Sequence, residues 1–344
     1  MIKKPLIYQY LNIDFHSANP KYMQLANCIK HAIAEGVIKK DEILPSINEL
    51  SFEFEISRDT AEKGYKYLKQ LGILGSVPGK GYFVKNTEVD KTIKICLLFN
   101  KLSSHKKIVY DSFVKTLADQ ATIDFFIYNN DFNYFKKLVA NNTNDYDYYV
   151  VIPHFMDGAE NAYEVLNTIP KEKLLLLDKL VQGVTGDFAA VYENFEKDIF
   201  ETLVQAKEIL SKYDAIKIIF PEASYYPNEI LKGFLKFGKV HKMTTDVITD
   251  ISEYTVKKGE VYINLMEGDL VALVENILKS KLKVGKDVGV ISYNETPLKR
   301  IILDGITTIS TNFEVMGAKA AEAILNKSIE HYEVPFKLTI RPSI

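Results

Sequence analysis

The chain has 344 residues, 47% of them hydrophobic and 26% charged, with a net charge of −2. These values allow two or three globular domains and exclude a collagen-like, low-complexity or largely disordered chain. Charge is uneven along the chain: residues 57–85 hold six basic side chains against two acidic ones, a local excess suited to a polyanion.

In chain order, Pro20 opens a helix in which Leu25, Ile29 and Ile33 recur every four residues, and Gly36 stops it. Leu44-Pro45 is extended, because a residue before proline avoids the helical region. Ser46 caps the next helix and Glu49 completes a capping box, with Leu50 and Phe54 facing inward. Ser57 caps a third helix whose inward face is Ala61, Tyr65 and Leu68, and Gly72 ends it. The turn between the second and third helices is about three residues long, as a helix-turn-helix requires. Val77-Pro78-Gly79-Lys80-Gly81-Tyr82-Phe83-Val84 then reads as a hairpin with Lys80 at its tip.

The second helix of such a pair reads the major groove with its N-terminal residues, here Ser57, Arg58, Asp59 and Thr60, with Lys63 one turn further on. Arg58 can fork onto guanine O6 and N7, and Asp59 can accept from cytosine N4. Gly79 and Gly81 let the hairpin backbone and Lys80 approach a phosphate or a minor groove. Together these elements predict a winged helix-turn-helix domain over residues 1–85.

Residues 20–84 resemble the winged-helix domain of the GntR family of bacterial transcription regulators. The matching residues are Pro20-Lys21-Tyr22, Gln24, Gly36, Asp41, Leu44-Pro45-Ser46, Glu49-Leu50, Ser57-Arg58, Thr60, Tyr65, Leu68, Gly72, Gly79-Lys80-Gly81 and Phe83-Val84. The resemblance implies DNA contacts from Ser46, Arg58, Thr60, Gly79 and Lys80. Asn48 stands where the family usually has arginine, so an amide replaces a charged contact there.

Residues 86–91 are polar and read as a linker. Beyond them strand-like runs at 93–99, 123–128, 148–152, 174–177, 215–220, 261–265 and 288–292 alternate with helical patterns at 108–119, 195–210, 270–280 and 313–326. Near-continuous apolar strands separated by helices predict parallel sheet covered on both faces. Residues 92–344 exceed one small sheet domain, so two α/β lobes are expected, with a small-molecule site beyond the strand ends between them. The strand-end residues Asn100, His154, Asp178, Glu193, Tyr225 and Asn294 are the candidate lining.

The segment from Asp287 through Pro297, with Ile306-Thr307-Thr308-Ile309, Met316-Gly317 and Arg341-Pro342-Ser343, is similar to LacI-type sensor domains, which are shaped like type I periplasmic sugar-binding proteins. That resemblance implies two lobes crossed by three chain passages, a homodimer, and an effector in the cleft. Three positions that usually grip a sugar differ: Ile230 replaces an arginine, Leu265-Met266 an Asn-Asp pair, and Asn294 an aspartate. The usual hexose grip is therefore not expected.

Catalytic signatures are missing: the sequence has no phosphate-binding glycine loop after a strand and no Gly-x-Ser-x-Gly elbow. Two remote cysteines and six scattered histidines supply no metal-ligand spacing and no disulfide framework. No run approaches the ~18 apolar residues of a membrane span, and no export signal follows Met1. These readings predict a cytoplasmic regulator, not an enzyme, without cofactor or metal. Its partners would be double-stranded operator DNA with two half-sites and a small-molecule effector, possible classes being a sugar or related metabolite, and repression would be its default. Two other readings stay open at this point. One is a pyridoxal-phosphate-dependent enzyme-like regulator, since some GntR-type heads are fused to aminotransferase-like domains. The other is a solute-binding module with an accessory head.

Overall fold

Three helices and a two-stranded hairpin build the N-terminal unit. The computed structural model describes residues 6–11, 13, 20–87, 92–141, 146–156, 158–222 and 226–344, and the chain divides into units 1–92 and 93–344. Helix α1 (Lys21–Ala34) buries Leu25, Ala26, Ile29, Ala32 and Ile33. Gly36 follows at φ 71°, a left-handed backbone that glycine adopts without steric cost. Helix α2 (Ile47–Glu53) begins at Ser46, whose hydroxyl accepts from Glu49 N at 3.2 Å while Glu49 Oε2 accepts from Ser46 N at 2.7 Å. That is the reciprocal cap read from the sequence. Helix α3 (Arg58–Gln70) begins at Ser57, which accepts from Thr60 N at 3.1 Å. Its inward Tyr65 is fully buried and donates to Pro45 O at 2.8 Å, tying α3 to the extended run before α2.

Strands β1 (Leu74–Val77) and β2 (Gly81–Val84) pair antiparallel from Leu74↔Val84 to Val77↔Gly81. The segment before α2 extends this ribbon: Leu44 N donates to Tyr82 O at 2.9 Å and Val84 N to Glu42 O at 3.0 Å. Lys85 and Asn86 both donate to Ile73 O, so the exit of the hairpin is held to the head as far as Asn86. Residues 88–91 of the expected linker lie outside the described residues.

The larger unit alternates strand and helix. Its first lobe contains β3 (Ile93–Phe99), α4 (Ser104–Leu117), β4 (Ala121–Ile127), α5 (Phe132–Asn141), β5 (Tyr148–Val151), α6 (Ala162–Asn167), β6 (Leu174–Asp178) and β7 (Ala189–Tyr192). The second contains α7 (Phe195–Leu210), β8 (Ala215–Ile219), α8 (Asn228–His241), β9 (Thr245–Ile248), β10 (Glu260–Asn264), α9 (Glu267–Ser280), β11 (Gly289–Tyr293) and β12 (Thr307–Thr311). Helix α10 (Phe313–Leu325) and strands β13 (His331–Glu333) and β14 (Phe336–Thr339) complete the chain. The sheets run β4-β3-β5-β6-β7-β13 and β9-β8-β10-β11-β12-β14. Every pairing in them is parallel except β12 with β14. That last strand departs from the all-parallel expectation, because it enters from the first lobe and runs back along the edge of the second.

The chain passes between lobes three times: after β7, after β12, and between β13 and β14. Strands β6, β10, β11 and β12 are buried along their whole length, as parallel strands covered by helices on both faces must be. No helix among the described residues is long and apolar enough to cross a membrane.

Although it follows β12, helix α10 packs on α4 of the first lobe, and Gly317 permits the approach. A Cβ there would meet Val109 O at 2.2 Å and Phe113 N at 2.9 Å. Gly317→Ala must push the helices apart, at a cost of about 1–3 kcal/mol. Thermal unfolding should show the transition of the larger unit lowered by roughly 2–10 °C; an unchanged transition would remove this packing constraint.

Candidate functional site

The head presents its candidate DNA contacts on the first turns of α2 and α3 and on the hairpin. Ser46, Asn48, Ser57, Arg58, Asp59, Lys63, Gly79 and Lys80 are exposed and Thr60 is half-buried. Asn48 and Arg58 line one open groove together with Ser51 and Phe52. The two cap hydroxyls are already engaged, Ser46 with Glu49 N and Ser57 with Thr60 N and Oγ1. Asp59 pairs with Lys63 at 2.8 Å, not with its neighbour Arg58. A pair so exposed holds weakly and yields readily to a phosphate or a base. Gly79 and Gly81 have φ 79° and 90°, and Lys80 N closes the turn onto Val77 O at 3.0 Å.

In the larger unit the strand ends of both lobes face one cleft. The strand order of the first sheet reverses between β3 and β5, the place where open α/β sheets leave a crevice at the carboxyl ends of their strands. Asn100 follows β3, His154 lies past β5, Asp178 ends β6 and Glu193 follows β7, while Asn294 follows β11 of the second lobe. All five line the cleft and all five are buried. Tyr225, the sixth candidate, lies outside the described residues. The pocket these residues enclose holds about 30 Å³, room for water and not for a sugar ring, and it adjoins a wider opening of about 550 Å³ that shares His154, Tyr226 and Pro227 with it.

Asp178 is the centre of this cluster. Its Oδ2 accepts from His154 Nε2 at 2.7 Å and from Lys106 Nζ at 3.4 Å. Lys106 also donates to Asn100 Oδ1 at 2.6 Å, and Asn100 Nδ2 donates to Asn130 Oδ1 at 2.6 Å. Burial by itself would raise the Asp178 carboxyl, but Lys106 and His154 beside it hold it below the usual carboxylate range. Glu193 goes the other way. Burial and then the Asp178 charge push its carboxyl well above the usual range, and its side chain hydrogen-bonds Asp178. Burial lowers His154 and Lys106, with Asp178 opposing in both cases.

Asp178 and Asn294 occupy corresponding places in the two lobes, and both adopt left-handed backbone, φ 77° and 64°. Asp and Asn tolerate that region better than other non-glycine residues, and such backbone concentrates where side chains must be aimed. Three buried cleft atoms have no hydrogen-bond partner among the described residues: Glu193 Oε2, Tyr293 Oη and Asn294 Oδ1. Each buried polar group left unpaired costs about 1–3 kcal/mol. Phe195, Tyr226 and Phe313 add ring faces to the wall.

Sequence reasoning missed Lys106, although its signal was present. Lys106, Val109, Phe113 and Leu117 share the buried face of α4, so a lysine sits on an apolar stripe. Ile230 and Leu265, the apolar residues noted in the sequence, are packed into the core of the second lobe.

The sequence pattern of bacterial regulatory proteins of the gntR family matches residues 21–84. Residues 21–84 are a gntR-type helix-turn-helix domain. The mannosyl-D-glycerate transport/metabolism system repressor MngR of Escherichia coli is 33% identical over 89 residues, a match spanning 26% of this chain and 37% of that relative. Outside the gntR-type head, likeness is one of fold. A structure of the Lac repressor bound to ONPG in its repressed state aligns with a TM-score of 0.62 at 15% identity, covering 84% of this chain and 92% of that one. A LacI family transcriptional regulator from Lactobacillus casei with bound glucose aligns with a TM-score of 0.58 at 12% identity, covering 73% and 99%. The larger unit therefore has the two-lobed LacI-type fold.

Removing one partner of a buried ion pair strands the other. Lys106→Met should destabilise the larger unit by about 3 kcal/mol, and adding Asp178→Asn should recover much of the loss. Denaturant unfolding of the single and double variants reads this directly; additive losses would mean that the two side chains are not coupled.

Proposed function

We propose that the chain is a ligand-responsive DNA-binding transcriptional regulator, a repressor by default, whose operator affinity changes when a small hydroxylated molecule occupies the interlobe cleft. The observation that carries this reading is the pairing, in one chain, of a gntR-type head with a cleft whose buried Glu193, Tyr293 and Asn294 atoms lack partners. Closing the lobes on an empty cleft leaves those atoms unsatisfied. Closing them on a molecule with hydroxyl donors and an apolar face satisfies Glu193 Oε2 and Asn294 Oδ1 and covers the rings. The ligand thus favours closure through differential contacts, which is what a population shift requires. Sugars and their relatives fit that description.

In the head, Arg58 and Asp59 read base edges, with Asn48, Thr60 and Lys63 beside them and Gly79 and Lys80 on the backbone or minor groove. The caps at Ser46 and Ser57 aim the α2 and α3 N-termini at phosphates. Two heads in a homodimer would meet an operator with two half-sites, and lobe closure would alter their placement. The dimer face we assign is the outer side of α9 with residues 297–301. Val271, Leu278, Leu298 and Ile301 are exposed there around an apolar groove, beyond what single scattered apolar residues explain. The protein acts in the cytoplasm, where its DNA is, and carries out no covalent chemistry. A pyridoxal-phosphate enzyme is not favoured, because the larger unit has the LacI-type fold.

Fluorescence anisotropy with DNA from its own upstream region tests the reading. A specific complex should form at moderate salt, and Arg58→Ala should weaken it about 5- to 100-fold. D-glucose, sucrose, trehalose and L-arabinose form the first panel of effectors. An active member should change DNA affinity by about 5- to 150-fold. No specific complex, or one indifferent to Arg58→Ala, would contradict the assignment of the head.

A further inference from the structure

Among the described residues two lysines are buried, Lys106 and Lys299. Lys106 has the Asp178 carboxylate. Lys299, on the one-turn 3₁₀ helix Pro297–Arg300, is 3% exposed and has no carboxylate of the described residues within salt-bridge distance. Its ammonium donates to two main-chain carbonyls, Tyr293 O at 2.9 Å and Asn294 O at 2.7 Å. Burying an ammonium is costly, and folds retain one only where it fixes something. What it holds is the turn that presents Tyr293 Oη and Asn294 Oδ1 to the cleft.

That turn is fastened from its other side too. Glu295 accepts from Arg341 Nη1 at 2.9 Å and from Thr308 Oγ1, and Asn294 N donates to Ile309 O at 2.9 Å. The Glu295 side thus joins the turn to β12 and to the C-terminal Arg341. Among the described residues, Lys299 is the side chain that binds the carbonyls of Tyr293 and the left-handed Asn294. Its own backbone is anchored by Ile306 N, which donates to Lys299 O at 2.8 Å. The lysine does not need to touch a ligand to act on one; it sets where Asn294 points.

We propose that Lys299 is a positioning residue for effector recognition, its ammonium holding the 293–294 turn so that Asn294 and Tyr293 meet the bound molecule. This rests on the cleft being the effector site, but the positioning itself can be tested without any effector.

Burial lowers the Lys299 ammonium to about 8, with Glu267 on α9 and Glu295 on the turn opposing. The closed turn therefore holds the neutral amine more readily than the ammonium, so raising the pH from about 8 toward the ordinary lysine value favours the closed turn. His105, which also senses Lys299, is held down to about 3 by burial and stays neutral throughout. Lys101 is likewise lowered to about 8 by burial and by Lys106, so the variant, not the pH curve alone, assigns the step.

Hydrogen–deuterium exchange on the full chain reads the positioning. In Lys299→Met, protection of the peptide spanning 291–298 should fall about tenfold at pH 7. Wild type should gain protection of the same peptide between pH 8 and 10 after correction for intrinsic exchange, and Lys299→Met should show no such step. Lys299→Arg, which keeps the charge, should restore at least part of the protection. If Lys299→Met does not fold, Lys299→Arg decides: it should keep protection at pH 7 and lack the pH step, and a step that persists in it would overturn the proposal. Unchanged protection in Lys299→Met, or a pH step that persists in it, would overturn the proposal. The second readout is the affinity of whichever of D-glucose, sucrose, trehalose and L-arabinose binds wild type. Lys299→Met should weaken it about tenfold, and the loss should largely vanish in an Asn294→Ala background. Full additivity with Asn294→Ala would overturn positioning of Asn294. If none of the four sugars binds, the choice of effector class has failed while the exchange result still decides the role of Lys299.

Discussion

A carboxylate buried at the ends of parallel strands must be answered by cations or by protons, and the larger unit is arranged around that requirement at Asp178. Lys106 comes from the first turn of α4 and His154 from the loop after β5. Glu193, after β7, is pushed well above the usual carboxylate range by burial and then by the Asp178 charge. Three strand ends and one helix are thereby fixed to each other at one point. Unsatisfied atoms remain on both sides of the cleft, Glu193 Oε2 on the first lobe and Tyr293 Oη and Asn294 Oδ1 on the second. A ligand that completes those atoms acts on the approach of the lobes, not on the integrity of either one.

The second lobe answers with a different device. Asn294 stands where Asp178 stands in the first lobe and shares its left-handed backbone, yet it carries no charge to be balanced. Its placement is secured through the main chain instead, by the Lys299 ammonium on one side and the Glu295–Arg341 pair on the other. One lobe thus uses a charged side-chain network and the other a clamped turn. Strand ends meet in a cleft in both lobes while the chemistry differs, and apolar Ile230 and Leu265 are packed into the core of the second lobe.

Much of this was legible in the sequence because local rules agreed with tertiary ones. The Ser46–Glu49 box, the Gly36 and Gly72 stops, and the Gly79-Lys80-Gly81 tip are all formed by residues within a few positions of each other, and each appears as read. Strand β3 and helix α7 match their expected bounds because an apolar run or a 3.6-residue stripe fills them entirely. The convergence of Asn100, His154, Asp178, Glu193 and Asn294 followed from a topological rule about strand ends, not from any local signal. What stayed hidden depends on contacts distant in sequence. The reversed edge strand β14 is set by a chain passage from the other lobe. Lys299 carries no signal in Pro297-Leu298-Lys299-Arg300, since nothing local shows that carbonyls will surround it. The Asp178 partners were obscured for the same reason, being separated from it by 72 and 24 residues.

The account stands on coupling between the cleft and the head, and coupling is reciprocal. The most direct measurement is therefore the affinity of an active sugar for the free chain and for the chain saturated with its upstream DNA. The account predicts that the two affinities differ by the same factor by which that sugar changes DNA binding. Equal affinities, measured alongside a sugar-dependent change in DNA binding, would contradict it.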